Sequence, residues 1–278
     1  MNVNLLQHIG IDTSEAKAGD YVKDGLLYCG VCGEPKQYRL TIPFKAGETV
    51  NIVPIACSCD RARYKAEDER REANERKARV CELARYSLME EAQKGYTFES
   101  ADRNGINEGA LKLAERYCDK FAECKKQGRG LIFYGSMGTG KSYTAMCIAN
   151  RLLSQEHTVI VTSFVKLGNA AFGEDEEIIS RMNSAELLVL DDLGVERRSD
   201  YSCERVYNVI DSRVRSGLPM VITTNLTITG MQNETDIRAR RTYDRIFQKC
   251  YPVAFKGISQ RMLEASVLHD EMSKLLGS

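Results

Sequence analysis

A glycine-rich run near the middle of the chain carries the clearest chemical signal in the sequence. It follows the apolar stretch Leu131–Tyr134 and consists of Gly135, Ser136, Met137, Gly138, Thr139, Gly140, Lys141 and Ser142. Glycines at this spacing let successive backbone N–H groups face one anion, and a following helix adds the positive end of its dipole. Lys141 is placed to reach β- and γ-phosphates, and the Ser142 hydroxyl to bind Mg²⁺. The run therefore predicts a phosphate-binding loop for ATP or GTP with Mg²⁺.

Polar side chains end two later apolar runs. Asp191 and Asp192 follow Leu187–Leu190, and Asn225 follows Met220–Thr224. In open parallel sheets the ligand lies beyond the carboxyl ends of the strands, so these side chains are expected beside the phosphates. We assign Asp191 to the metal, Asp192 to the base that orients or deprotonates the attacking water, and Asn225 to holding that water. The alternatives are that the acids cap the next turn and that Asn225 belongs to a plain turn.

Four of the ten cysteines form two close pairs near the amino terminus. Cys29 and Cys32 are separated by two residues, and Cys57 and Cys59 by one. Two such pairs across a hairpin can complete a tetrahedral set of thiolates around Zn²⁺, with no open position for catalysis. Free thiols, a redox pair and an iron–sulfur cluster are the alternatives. The other six cysteines stand singly and are expected to behave as small apolar side chains.

Helical and apolar strand patterns alternate from about residue 95 to the end of the chain. Short apolar strands between helices predict an α/β domain, a parallel sheet covered by helices on both faces. The predicted strands are Leu131–Tyr134, Thr158–Thr162, Leu187–Leu190, Met220–Thr224 and Val253–Phe255. The predicted helices are Gly109–Lys126, one through Leu153, Tyr201–Arg215, Arg238–Gln248 and one from Ser259.

Two segments of different composition precede this domain. Residues 1–60 are rich in turns, with alternating runs at Gln37–Ile42 and Thr49–Ile55 that indicate a hairpin. Residues 61–94 are dominated by Arg, Glu, Lys and Ala, with opposite charges three and four residues apart, which favours a solvated helix. We expect a zinc-binding module at 1–60, a linker helix at 61–94 and an ATPase domain at 95–278. A helix that contacts DNA is the alternative for the second segment.

The overall charge limits the classes of partner. The chain has 39 basic and 39 acidic residues, so a whole-protein attraction to nucleic acid is excluded and any such contact must be local. No apolar stretch approaches the ~20 residues that span a bilayer. The first residues lack the basic start and apolar core of a secretory signal. We therefore expect a cytoplasmic protein that has no membrane partner.

Four motifs in series resemble one known family. They are LLVLDDLG at 187–194, VITTNL at 221–226, YDRI at 243–246 and GISQR at 257–261. In this order they are similar to the motifs of DnaC/DnaI-type helicase loaders, which are AAA+ ATPases related to the IstB-type transposition helpers. The resemblance covers roughly Tyr96 to Met262. It implies an AAA+ P-loop fold and sites completed between neighbouring subunits.

The resemblance also assigns roles to single residues. It implies that Arg245 is the arginine finger acting on the ATP of a neighbouring subunit, and that Arg261 is the sensor-2 residue contacting its own ATP. Three other arginines on the same predicted helix could be the finger instead, namely Arg238, Arg240 and Arg241. Ser199 and Tyr201 match the family's Ser-x-Tyr, which is implicated in contact with single-stranded DNA. Without the family, Ser199 would cap the next helix and Tyr201 would pack against it.

Together these features predict an ATP-driven protein that loads or remodels a replicative DNA helicase on single-stranded DNA. Its expected cofactors are ATP, Mg²⁺ and Zn²⁺. Its expected partners are the replicative helicase, single-stranded DNA and further copies of itself. Family members of the DnaI type carry a zinc-bearing domain that docks on the helicase, which favours this role over an IstB-like helper of a transposase. A small-molecule P-loop kinase and a zinc-bearing adaptor without enzymatic activity are the remaining alternatives.

Overall fold

The chain folds into two compact units, Met1–Glu75 and Arg76–Ser278. The structure, a computed structural model, describes residues 16–44, 47–87, 89–101, 105–169, 175–194 and 200–276. The boundary between the units lies inside one long helix, so each unit is described by itself below.

The first unit is built from two small antiparallel sheets. Strand β1 (Tyr21–Lys23) pairs with β2 (Leu26–Tyr28), and β3 (Gln37–Phe44) pairs with β4 (Gly47–Pro54). The second pair is the hairpin that the alternating runs predict. Few of the side chains that the structure describes in this unit are buried, so it needs support beyond an apolar core.

Helix α1 (Ser58–Ala84) contains the charged segment. Its side chains pair along the helix surface, as in Arg63 with Glu67 and Arg71 with Glu75. The helix ends at Ala84 and not at the predicted Lys94. Near this end Leu83 is buried in the core of the second unit, and the Ser87 hydroxyl accepts a hydrogen bond from the N–H of Val161 at 3.0 Å.

The second unit contains a five-stranded sheet in the order β6-β7-β8-β5-β9. All of its neighbouring strands are parallel. The strands are β5 (Gly130–Gly135), β6 (Val159–Ser163), β7 (Leu187–Leu193), β8 (Met220–Thr224) and β9 (Cys250–Phe255). The predicted α/β class is confirmed, since each predicted strand forms and all five join one sheet.

Helices cover both faces of the sheet. On one face α4 packs against Phe133, Val189 and Val221, and on the other α7 and α9 pack against Ile132 and Leu190. The helices are α2 (Glu108–Asp119), α3 (Phe121–Gln127), α4 (Lys141–Ser154), α5 (Phe164–Asn169), α6 (Asp175–Ser184), α7 (Asp200–Ser216), α8 (Ile228–Gln232), α9 (Ile237–Lys249) and α10 (Gln260–Leu276), with a short 3₁₀ helix at Glu91–Gly95. Successive residues of a strand point to opposite faces of the sheet. Because helices cover both faces, the strands carry apolar side chains on both faces.

One predicted helix is divided in two. The amphipathic run Gly109–Lys126 forms α2 and α3, which meet at Lys120 with φ −103° and ψ 16°. The break lets Phe121 become buried while α3 ends at Gly128, whose left-handed backbone (φ 62°) leads into β5. In the part of the chain that the structure describes, no helix is both long and apolar enough to cross a membrane.

Candidate nucleotide site and cysteine cluster

The phosphate-binding loop connects the end of β5 to the start of α4, as predicted. Gly135 has φ 137°, and a Cβ there would lie 2.0 Å from the carbonyl oxygen of Phe255. Gly138 has φ 75°, and a Cβ there would lie 1.9 Å from the Ser259 hydroxyl. Both positions require glycine because the backbone is in the left-handed region and because the end of β9 and the segment after it pack directly on the loop.

Lys141 is folded back into the loop. Its side-chain amine donates hydrogen bonds to the carbonyl oxygens of Gly135 at 2.9 Å and Ser136 at 2.7 Å. The residue is only 5% exposed, and Thr139 beside it donates to the Ser136 oxygen at 2.9 Å. A positive charge is thus held at the amino terminus of α4, where the helix dipole also favours an anion. These features fit a bound phosphate group.

Asp191 lies on the sheet face that α4 covers. It continues the odd-numbered positions of β7, and Val189 on this face packs with α4. Thr223 occupies the same face of the neighbouring strand β8 and donates a hydrogen bond to Asp191 Oδ1 at 2.5 Å. Asn225 follows β8 directly and is half-buried. The structure therefore brings Asp191, Asn225 and the phosphate-binding loop to the same edge of the sheet.

Asp192 differs from Asp191 in its backbone. Its φ of 59° is left-handed, and the pairing of β7 with β8 shifts between Leu190 and Leu193. Aspartate tolerates this conformation better than most side chains, although it is still uncommon. The two neighbouring acids therefore differ in orientation, which suits two different roles.

Asn107 joins three segments of the site. Its side-chain amide donates to the carbonyl oxygens of Thr139 at 3.1 Å and Lys256 at 2.9 Å, and its own oxygen accepts from the N–H of Lys256 at 2.9 Å. The residue immediately before α2 thus holds both the phosphate-binding loop and the turn between β9 and α10. No local pattern points to this residue, since its partners lie 32 and 149 positions away.

Arg245 lies on α9 and is engaged within its own chain. Its Nε atom is 2.9 Å from Asp211 Oδ1 on α7, and its side chain is 40% exposed. The contact is an ion pair and not an aligned hydrogen bond, because Asp211 Oδ1 has no hydrogen-bond donor in suitable geometry. The three other arginines of the helix, Arg238, Arg240 and Arg241, are exposed.

Three predicted residues lie wholly or partly outside the described part of the structure. Arg261 is in the first turn of α10 and Tyr201 is near the start of α7, but their side chains are outside the described part of the structure. Ser199 lies outside the described residues altogether. Their roles as sensor and DNA contacts stay predictions.

The four paired cysteines of the first unit form a cluster. The sulfur atoms of Cys29, Cys32, Cys57 and Cys59 all lie within 4.8 Å of one another. Hydrogen bonds, chiefly from the Ser58 hydroxyl, lower the pKa of the Cys32 thiol to about 6. Four convergent thiols, one of which ionises readily, fit a closed tetrahedral zinc site.

A buried charge network supports the cluster. The Lys36 amine is 2.9 Å from Asp20 Oδ2 and 3.7 Å from Asp60 Oδ2, and Asp60 is in turn 3.4 Å from the Cys57 sulfur. Asp20 also accepts the N–H of Gly30, inside the first cysteine pair, at 3.1 Å. Local sequence does not reveal these residues, because single Asp and Lys residues in a turn-rich segment are usually solvated.

A family model described as IstB-like ATP binding protein matches residues 65–267. The chain is 27% identical over 144 residues to the replicative helicase loader DnaC of Escherichia coli (strain K12), a match covering 49% of this chain and 56%, or about half, of that relative. It is 23% identical over 276 residues to the replicative helicase loader DnaI of Bacillus subtilis (strain 168), covering 94% of this chain and 86% of the relative.

Solved structures agree on the fold. A crystal structure of DnaI matches with a TM-score of 0.53 and 24% identity, covering 63% of this chain and 95% of that one. A crystal structure of the DnaC helicase loader matches with a TM-score of 0.52 and 22% identity, covering 60% of this chain and 100% of that one. At this level of identity the likeness establishes the fold alone.

Proposed function

This chain belongs to the IstB-like ATP binding protein family, and on that premise we propose that it is an ATP-dependent helicase loader. It would load or remodel a replicative DNA helicase on single-stranded DNA. The observation that carries the proposal is the length of the match to DnaI, which includes both the cysteine unit and the nucleotide site. An ATPase of another function would be expected to share the second unit only.

The nucleotide site supports binding of ATP with Mg²⁺. The phosphate-binding loop would hold the phosphates with its backbone N–H groups, while Lys141 would exchange the loop carbonyl oxygens for phosphate oxygens. Ser142 and Asp191 would hold Mg²⁺, which supplies charge neutralisation at the phosphates. Asp192 would orient or deprotonate the attacking water, and Asn225 would hold it. Hydrolysis of ATP is part of the proposal.

Self-association would complete the site. In the proposal, Arg245 acts on ATP held by a neighbouring subunit, and Arg261 acts on the ATP of its own subunit. A guanidinium group is permanently charged and planar, so it can neutralise the charge that develops on the transferred phosphate. Ser199 and Tyr201 would contact single-stranded DNA, where a tyrosine ring can stack on a base.

The cysteine unit would bind one Zn²⁺ and dock on the helicase. Cys29, Cys32, Cys57 and Cys59 would hold the metal, with the network of Lys36 fixing the backbone around them. A unit of this size with few buried side chains is expected to depend on its metal for folding. Metal binding would therefore be required for docking and not for hydrolysis.

The family model favours a second candidate, an ATPase helper of a transposase, because its description is IstB-like. The two candidates share the nucleotide site and differ in the protein that they bind. The transposase helper should bind a transposase and leave the helicase unbound at every ATP concentration.

A helicase-loading assay tests the proposal. The purified chain is mixed with the host's replicative helicase, with and without ATP, and helicase transferred to circular single-stranded DNA is measured by co-sedimentation. We expect capture of the helicase by the chain, and ATP-dependent loading that Lys141→Ala abolishes. Lys166→Ala, which changes an exposed lysine on α5, should load normally. Absence of helicase binding under all conditions would overturn the proposal.

A further inference from the structure

The side chain of Thr223 lies between the two acids of β7. Its hydroxyl oxygen accepts the backbone N–H of Asp192 at 2.9 Å and donates to Asp191 Oδ1 at 2.5 Å. Thr223 is 0% exposed, so water does not compete for these hydrogen bonds. One hydroxyl thus contacts both acids, one through its backbone and one through its carboxylate.

The direction of these hydrogen bonds is fixed. A hydroxyl has one proton, and an amide N–H can only donate. Because the Thr223 oxygen accepts from Asp192, its own proton is free to point at Asp191. A hydrogen bond from a hydroxyl to a carboxylate is short and stronger than one between neutral groups, in agreement with the 2.5 Å distance. One oxygen of Asp191 is therefore held, which leaves the other as the available metal ligand.

The same hydroxyl also stabilises the irregular backbone of β7. The N–H that it accepts belongs to Asp192, the residue with φ 59° at the shift between Leu190 and Leu193. A residue in this conformation persists only where its surroundings hold it. Thr224, the next residue of β8, donates to the Leu193 carbonyl oxygen at 2.8 Å on the other side of the shift. Two adjacent hydroxyls of β8 thus hold the ends of the irregular segment.

We propose that Thr223 is the positioning residue of the metal site, which fixes the Asp191 carboxylate for Mg²⁺ and separates the orientations of Asp191 and Asp192. The inference rests on the proposed binding of ATP with Mg²⁺. Thr223 does not contact the nucleotide or the metal and acts through Asp191. Its loss should therefore change the response to Mg²⁺ and leave metal-free nucleotide binding intact.

The test measures binding of a fluorescent ATP analogue while Mg²⁺ is titrated, together with ATP hydrolysis. Thr223→Val keeps the shape of the side chain and removes the hydroxyl. We expect unchanged binding in EDTA and a half-saturating Mg²⁺ concentration raised by about 10- to 100-fold, the loss expected for a hydrogen bond to a charged group. Thr223→Ser should restore the wild-type half-saturating Mg²⁺ concentration. In Thr223→Val, the kcat of ATP hydrolysis should fall by a larger factor than KM changes.

Thr158→Val is the matched control. Thr158 is also buried and accepts the backbone N–H of Glu186, the residue before β7, at 2.9 Å, but it lies at the opposite end of the strands. Thr158→Val removes a hydrogen bond from a backbone N–H to a buried threonine hydroxyl, away from the metal site. The half-saturating Mg²⁺ concentration should therefore stay that of the wild type. If Thr223→Val does not fold, Thr223→Ala removes the same hydroxyl with less bulk beside the carboxylate.

The outcomes separate this inference from the proposed function. A wild-type Mg²⁺ response in a folded Thr223→Val or Thr223→Ala variant would overturn the inference and leave the function standing. A loss that Thr223→Ser does not restore would also overturn it, because the hydroxyl would not be the cause. A wild-type chain that binds no nucleotide at any Mg²⁺ concentration would overturn the proposed function and the inference together.

Discussion

Asp211 on α7 holds the guanidinium of Arg245 on α9, with Nε and Oδ1 separated by 2.9 Å. The same carboxylate pairs with Arg215 at 3.0 Å through its other oxygen. Asp211 is nearly buried, whereas Arg245 is 40% and Arg215 is 73% exposed. The proposed finger is therefore held at Nε by its own subunit, and its Nη1 atom donates a hydrogen bond to Gln248 Oε1 at 3.3 Å, while part of the side chain stays exposed.

Arg245→Ala should keep ATP binding and lose most turnover. Removing an arginine finger costs about 10³- to 10⁵-fold in rate in related phosphoryl-transfer enzymes, because the developing charge on the phosphate is no longer neutralised. Nucleotide affinity is measured by fluorescence and turnover by phosphate release. Arg215→Ala is the matched control, since it removes the other guanidinium from Asp211 and should leave turnover within about twofold, as for a surface ion pair.

Mixing two inactive variants tests whether the finger acts between subunits. Arg245→Ala retains its nucleotide site and Lys141→Ala retains its arginine, so a mixed assembly contains some complete sites. We expect partial recovery of ATP hydrolysis at intermediate ratios. Absence of recovery at every ratio would contradict an inter-subunit role for Arg245.

Arg213 should be important for stability and not for nucleotide chemistry. It is 0% exposed and makes five hydrogen bonds to the carbonyl oxygens of Met182, Ala185, Glu186 and Pro219. Burial lowers the pKa of its guanidinium to about 9, so it is still protonated at neutral pH. Arg213→Met leaves buried carbonyls without donors and should lower the free energy of unfolding by about 2–4 kcal/mol in urea titrations.

The control for this change is Arg215→Met on the same helix. Arg215 is largely exposed, so its replacement should alter the free energy of unfolding by less than about 0.5 kcal/mol. Equal effects of the two variants would show that the buried hydrogen bonds are not the source of the stability.

Glu186 should make the fold sensitive to acid. Burial alone would raise the pKa of its carboxyl group, but hydrogen bonds from Lys125 and then His157 lower it below the ordinary value of 4.5. Because the folded pKa is below the unfolded one, the contribution to the free energy of unfolding is present above pH 4.5 and is lost as pH falls through the folded value. Urea midpoints at a series of pH values should therefore fall less steeply for Glu186→Gln than for the wild type.

Glu176→Gln, an exposed position on α6, provides the comparison for acid sensitivity. Its urea midpoints should follow those of the wild type over the whole pH range. A Glu186→Gln variant that follows them too would exclude the contacts with Lys125 and His157 as a source of acid sensitivity.

The cysteine cluster should bind one metal ion. We expect about one zinc per chain in the purified protein by elemental analysis, because four thiolates complete a tetrahedral site. Cys29→Ser should remove this zinc and unfold the first unit, whereas Cys81→Ser, an exposed single cysteine on α1, should retain it. Full zinc occupancy in Cys29→Ser would contradict the assignment.

Local sequence patterns predicted the bounds of a strand well where both of its faces are buried. Strand β8 has the bounds that its five apolar and threonine residues indicate, since both of its faces are covered. Strand β9 begins at Cys250, before the predicted Val253. The earlier start is not evident from the sequence alone, because Pro252 argues against a strand there. Pro252 is accommodated because β9 is at the edge of the sheet, where one side of the strand needs no donor.

Local motifs predicted the site residues that lie near the ends of strands. The phosphate-binding loop follows β5 and Asp191 lies near the end of β7, so both were predicted from their places in the sequence. Thr223 and Asn107 were not predicted, because their roles depend on partners 31 or more residues away that the fold brings close. The same holds for Lys36, whose burial beside Asp20 no local pattern reveals.

The double attachment of Asn107 has a mechanical consequence. One amide is bonded to Thr139 of the phosphate-binding loop and, through both of its atoms, to Lys256 just before α10. If the phosphate-binding loop shifts when a nucleotide binds, Lys256 has to shift with it or one of these hydrogen bonds has to break. The position of Lys256, four residues before α10, is therefore coupled to that of the phosphate-binding loop through a single side chain.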